Sequence, residues 1–299
     1  MSLPTASGAV YDRGYRPYDG PRGGRASARW ALVRASIRRA LGLRRSWQQK
    51  VAPFVLLGIA VIPAAINVGI GYVTRDSIGD RIEIITYRDY VGVSTALLVF
   101  VALAAPDVMC PDRRQRVLPL IFSRQLTGMD YVAAKLGAIC GLLFMFSFIP
   151  QVVLYVGQTL VSDDALDYLT GHTDVLWKVP VAVAILSLYY GVIGVALASL
   201  TSRRIVGGAS IVGLFLVTSV ISGALIGEWQ EGDAGTYAAL FNLLALPLYL
   251  RDLVFLGQID VETPLTGMTY GAPLAILIYV VIVVTGIGLL LRRYRWLER

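Results

Sequence analysis

The side chains able to do acid–base or metal chemistry are few in this chain. Asp163, Asp164, Asp167, His172 and Asp174 form the one clustered set, and their spacing fits no ligand or catalytic pattern. A solvated acidic loop accounts for them. His172 is the sole histidine, which leaves few routes to a His-rich metal site or a histidine-based triad. Cys110 and Cys140 lie at or in apolar runs, where packing is the plain reading and a structural disulfide is not expected. No Gly-x-x-x-x-Gly-Lys-[Ser/Thr] phosphate loop occurs anywhere in the chain. The expectation is a chain that is not an enzyme and binds neither metal nor cofactor itself.

A different chemistry runs from Pro111 to Lys135. Arg113, Arg114 and Arg116 open it, the apolar residues Val117, Leu118, Leu120 and Ile121 follow, and Ser123, Arg124, Gly128 and Lys135 punctuate the rest. A plain loop between two spans needs only a few polar residues. A basic head followed by a helix-spaced apolar face predicts a short helix along the membrane surface, with Val117, Leu118 and Ile121 turned to a partner. The arginines suit carboxylates on that partner or anionic lipid.

The surrounding elements must be membrane spans. Hydrophobic residues make up 56% of the 299, charged residues only 16%, and the mean hydropathy is +0.64. A soluble domain of this length needs more polar surface. The fold class is therefore all-α, a polytopic membrane protein with six crossings at 51–73, 90–105, 136–161, 179–200, 206–227 and 268–291. Within those limits no span contains Asp, Glu, Lys or Arg, so none offers the carboxylate, histidine or lysine that an ion-gradient relay uses. A transporter of this composition moves its substrate passively or borrows a motor. Asn67, Gln151, Tyr155, Gln158, Tyr189 and Tyr190 are the conspicuous polar groups inside the spans; they are candidates for a substrate path or for bonds between helices.

Outside the spans, residues 1–26 read as an extended arm rich in Gly, Pro, Arg and Tyr, with no secretory signal expected. From Ser27 to about residue 50 the apolar positions Trp30, Val33, Ile37, Leu41 and Trp47 alternate with arginines, which predicts an interfacial amphipathic helix. Residues 236–256 are apolar but interrupted by Pro247 and Arg251-Asp252. They read as a re-entrant or surface helical pair before the last span, with a basic tail at 292–299. Six crossings gather 22 of the 27 Lys and Arg and six acids on one side, net +16, against net −9 on the other. By the positive-inside rule both termini face the cytoplasm.

The run from Asp112 to Lys135 resembles the coupling segment of ABC-2 type permeases, the membrane subunits of bacterial ATP-binding-cassette exporters. Asp112, Leu118, Leu120, Ser123, Arg124 and Lys135 match the pattern, while Arg116-Val117 stands where the family has a Gly-Thr pair and Gln125 where it has proline. Tyr15-Arg16-Pro17-Tyr18-Asp19-Gly20-Pro21-Arg22 is similar to the start of a bacterial subgroup. The resemblance implies a plasma-membrane exporter subunit for a drug-like or lipid-like compound, with ATP and Mg bound by two copies of a separate ATPase, and a second permease alongside. It implies a coupling role for Asp112, Arg113, Arg114, Arg116, Val117, Leu118, Leu120, Ile121, Ser123, Arg124 and Lys135. No nucleic-acid partner is expected. Two other classes compete: an integral membrane enzyme acting on lipid, and a membrane anchor or scaffold without transport activity.

Overall fold

The computed structural model describes residues 23–43, 47–74, 86–91, 94–123, 126–162, 164–228, 237–260, 263–267 and 270–298. Most of the N-terminal arm, Arg44, Arg45, Arg124, Gln125 and Asp163 lie outside them. The described chain is helical, with no strand among the described residues. In order it forms α1 (Arg25–Ala40), α2 (Trp47–Thr74), α3 (Tyr87–Tyr90), α4 (Ser94–Arg114), α5 (Leu118–Phe122), α6 (Gly128–Val161), α7 (Ala165–Gly171), α8 (Val175–Leu200), α9 (Arg204–Glu228), α10 (Leu246–Leu256) and α11 (Gly271–Glu298). One-turn 3-10 helices at Ala239–Phe241 and Pro264–Gly267 flank α10.

Six helical segments, of 21 to 34 residues, are long and apolar enough to cross a membrane. At 1.5 Å per residue even the shortest reaches about the 30 Å of a hydrocarbon core. The chain is a multi-pass membrane protein. Two of the six form the centre: α8 and the segment containing α4 are 67% and 75% buried, against 17–39% for the others. Helix α8 packs against α4, α6, α9, α10 and α11, whereas α2 rests chiefly on α6.

Small residues allow close approaches at the centre of the bundle. A Cβ on Gly194 of α8 would stand 2.5 Å from Val101 of α4, and one on Gly208 of α9 would stand 2.9 Å from the Ala102 carbonyl oxygen. Without side chains there, three backbones come close enough to share dispersion contacts, the main cohesive term between helices in lipid. Gly137 and Gly141, spaced like a close-approach motif, face open space instead. Aromatic pairs fill the wider gaps, among them Phe100 and Phe146, stacked with centroids 4.5 Å apart.

The crossing helices are longer than the sequence reading placed them. Helix α4 continues through Pro106 and Pro111 to Arg114, and α6 begins at Gly128, eight residues before the expected start at Leu136. The cause at α6 is a reciprocal cap: Thr127 Oγ1 accepts from the Asp130 amide (3.3 Å) and Asp130 Oδ2 accepts from the Thr127 amide (3.1 Å). The expectation of crossings free of ionisable residues therefore does not hold for the whole helices, which carry Asp107, Asp112, Asp130 and Lys135 near one end. The expected interfacial helix is also shorter: α1 stops at Ala40 in a left-handed Gly42 turn (φ 65°), and Trp47 already belongs to α2. The described residues of the outer segment include a 3-10 turn at Ala239–Phe241 and the α-helix α10.

Candidate functional site

Polar contacts gather at the two ends of the bundle. At one end, Tyr87 and Tyr168 share a hydroxyl hydrogen bond of 2.7 Å, Arg88 pairs with Asp260 at 2.7 Å, and Lys178 donates to the Phe255 carbonyl at 3.2 Å. The described members of the acidic set lie here in ordinary roles. Asp164 caps α7 by accepting from the Leu166 and Asp167 amides, and the Lys178 ammonium bonded to Asp174 at 2.8 Å holds that carboxyl below its usual range. His172 lies stacked on Tyr168. On α10, Arg251 and Asp252 are buried and bonded to each other at 2.7 and 2.9 Å; burial raises the Asp252 carboxyl even against the pull of Arg251.

The other end holds the segment singled out by sequence, and its centre is Asp112. Only 2% exposed, Asp112 receives three donors from two helices, α1 and α6. Lys135 Nζ of α6 lies 2.6 Å from its Oδ2, Tyr131 Oη of α6 donates to the same oxygen at 2.9 Å, and Arg39 of α1 pairs with Oδ1. Lys135 is 1% exposed and also donates to the Val108 carbonyl at 3.0 Å. The Tyr131 ring packs on Tyr294 of α11, with centroids 4.9 Å apart. One carboxylate thus ties α1, α4 and α6 together, with α11 resting on the cluster. A second tie holds the start of α1: Arg25 Nε lies 2.7 Å and Arg29 Nε 3.7 Å from the Asp130 carboxylate. Arg204 pairs with Asp107, and Arg113 donates to the Ser199 carbonyl at 2.6 Å, fixing the short link between α8 and α9 against α4.

Beyond Arg114 the chain reverses in a tight turn. The Val117 amide donates to the Asp112 carbonyl and the Arg116 amide to the Arg113 carbonyl, each at 3.2 Å, with Arg116 in the left-handed region at φ 52°. This is the paired hydrogen-bond pattern of a Schellman cap, whose left-handed position usually holds glycine. The five-residue α5 follows, with Pro119 at its first turn.

Helix α5 presents the opposite face from the one expected. Leu118 is buried, and Val117 and Ile121 are half-buried against the bundle, while Leu120 is 70% exposed. The reason is the turn, which aims the start of α5 back at the helices it leaves. Arg114, Arg116 and Ser123 are exposed, Ser123 Oγ donating to the Leu120 carbonyl at 3.0 Å. Asp112 and Lys135, to which the resemblance gives a coupling role, belong to the buried cluster.

Between α1 and the end of α4 lies a recess of about 600 Å3, lined by Trp30, Arg34, Arg38, Arg39, Pro111 and Gln115 among others. Trp30, 60% exposed, lines this basic-rimmed groove, whereas Ile37 and Leu41 of the same apolar row pack against the core.

The six polar candidates inside the spans fall into two separate groups. Gln158 donates to Asn67 Oδ1 at 3.1 Å, Gln151 donates to the Tyr87 carbonyl at 3.2 Å, and Tyr155 packs against Tyr87 and Tyr168. Tyr189 stacks on Tyr279, and Tyr190 donates to the Leu244 carbonyl at 2.8 Å. Within one copy these are contacts between helices. The buried ties of Arg39, Asp130 and Tyr131 escaped the sequence reading; only the Thr127-x-x-Asp130 cap had a local signature.

The chain matches no protein-family model, no curated protein and no solved structure.

Proposed function

We propose that this chain is the membrane-spanning subunit of an ATP-driven exporter and that a separate ATPase engages it at the end where α1, the α4–α5 turn and α5 meet. The observation that carries the reading is the basic-rimmed recess between α1 and α4, whose two walls are fastened to the crossing helices by the Asp112 cluster. A partner element seated there presses on α1 and on the end of α4 together. Arg39–Asp112 and Arg25–Asp130 then pass the displacement to α4 and α6 without slack, because the carboxylates of both pairs are buried.

The reading also draws on the resemblance to ABC-2 type permeases. The family's Gly-Thr pair falls at Arg116-Val117, and Arg116 is the one described non-glycine residue with a left-handed backbone. A turn of the kind that glycine favours thus stands where the family has glycine. The ionisable residues of α4 and α6 do not favour a gradient-driven alternative: Asp112 and Lys135 hold each other in a fully partnered cluster at one end of the bundle, away from its middle. In this proposal the cytoplasmic ends are the basic ones, ATP and Mg bind to two ATPase subunits, and a second permease, identical or related, completes the path for a lipophilic or amphiphilic cargo. The membrane is the bacterial plasma membrane.

The test is co-expression with a phosphate-loop ATPase, which this proposal expects a neighbouring gene to encode. Leu120→Asp, at an exposed position, is expected to leave insertion intact while reducing co-purified ATPase by tenfold or more. Leu120→Cys is expected to react with a membrane-impermeant maleimide in inverted vesicles and not in intact cells. Full ATPase retention by Leu120→Asp, or labelling of Leu120→Cys from outside, removes the proposal.

A further inference from the structure

A second recess opens on another flank of the basic end, between the last turns of α8 and α11 and the short α5. It measures about 930 Å3. Leu197 and Leu200 of α8 and Leu289 and Leu290 of α11 supply apolar walls, and its rim carries Arg113, Arg116, Arg292 and Arg293 with no carboxylate among the lining residues. Arg113 is anchored in place by its bond to the Ser199 carbonyl.

Four guanidinium groups around one groove repel each other unless an anion lies among them. Guanidinium is the side chain best matched to phosphate, which it grips through paired N–H donors. The apolar part points to the rest of the ligand. Leu200 and Leu289 are 61% and 60% exposed, and the exposed apolar row continues along α11 through Val284, Val281 and Leu277. That surface belongs to a crossing segment, so what covers it is hydrocarbon. A soluble acidic protein segment meets the arginines but cannot follow the row into the bilayer.

We infer that this groove binds a phospholipid with an anionic headgroup, its phosphate among the four arginines and its upper acyl chains against Leu197, Leu200 and Leu289. The size fits: small-molecule pockets run to about 300–1,000 Å3, enough here for a headgroup and the first carbons of its chains. The site is separate from the α1–α4 recess and stands whether or not the chain is driven by an ATPase.

The experiment is native mass spectrometry of the full purified chain in detergent supplemented with phosphatidylglycerol or phosphatidylcholine. Wild type is expected to retain phosphatidylglycerol in preference. Arg292→Gln with Arg293→Gln is expected to bind it roughly 30-fold more weakly, with phosphatidylcholine unaffected, since each arginine near an anionic surface contributes about a factor of five. Leu200→Asn with Leu289→Asn is expected to weaken both lipids. Free glycerol phosphate at the same concentration is expected not to displace the lipid. Equal retention of the two lipids, an unaffected arginine double variant, or displacement by glycerol phosphate overturns the inference. If the double variant loses its melting transition in phosphatidylcholine, Arg292→Gln alone, expected at roughly fivefold, decides the matter by the same criterion.

Discussion

Breaking the Asp112–Lys135 pair from either side, and then from both, measures how strongly this cluster holds the basic end together. Both side chains are almost wholly buried, 3% and 1% exposed, and 2.6 Å apart. Removing one partner of such a pair leaves an uncompensated charge and costs about 3–5 kcal/mol. Lys135→Met falls at the low end, about 3 kcal/mol, because Asp112 keeps Arg39 and the Tyr131 hydroxyl. Asp112→Asn falls at the high end, about 5 kcal/mol, since the Lys135 ammonium keeps only the Val108 carbonyl as a strong acceptor. Independent effects would give about 8 kcal/mol for the double variant, whereas neighbours couple by up to about 3. The double variant Asp112→Asn with Lys135→Met is therefore expected near 5 kcal/mol, no worse than the worse single change. Arg39 is one-third exposed, so Arg39→Gln is screened and costs at most about 1 kcal/mol. Equilibrium unfolding in mixed micelles, followed by tryptophan fluorescence, reads all four values. Additivity in the double variant, or a Lys135→Met change below about 1 kcal/mol, would refute the cluster as a buried, mutually dependent clamp.

Two further outcomes rest on backbone geometry. Gly208→Ala places its Cβ 2.9 Å from the Ala102 carbonyl oxygen and is expected to destabilise by about 1–3 kcal/mol, whereas Gly137→Ala meets open space and is expected to gain up to about 1 kcal/mol of helix stability, both read by the same unfolding assay. Arg116→Gly relieves a left-handed residue with a side chain and is expected to raise stability by about 1 kcal/mol or less; a loss of stability would mean that the Arg116 side chain contributes more than its backbone costs.

The residues themselves determined a good deal of this protein. Six apolar runs of sufficient length, with charge confined to their ends and connections, can satisfy every backbone group in hydrocarbon only as crossing helices, so the all-α membrane architecture follows from composition and length. The Thr127-x-x-Asp130 cap is equally local and fixes the start of α6 from four consecutive residues. What the sequence could not show is which charged residues near the helix ends face water and which face each other. Asp112 and Lys135 stand 23 residues apart, and nothing local in the sequence pairs them. They became a buried pair only when α4 continued past Pro106 and α6 began early enough to bring Lys135 beside it. The outward face expected for α5 came out reversed for a related reason. Five residues have too little periodicity to name an inward side, and the left-handed Arg116 turn alone sends Leu118 toward the bundle and Leu120 away from it. Contacts between residues far apart in the chain depend on the path of the backbone between them, and that path is settled only when all the helices pack at once.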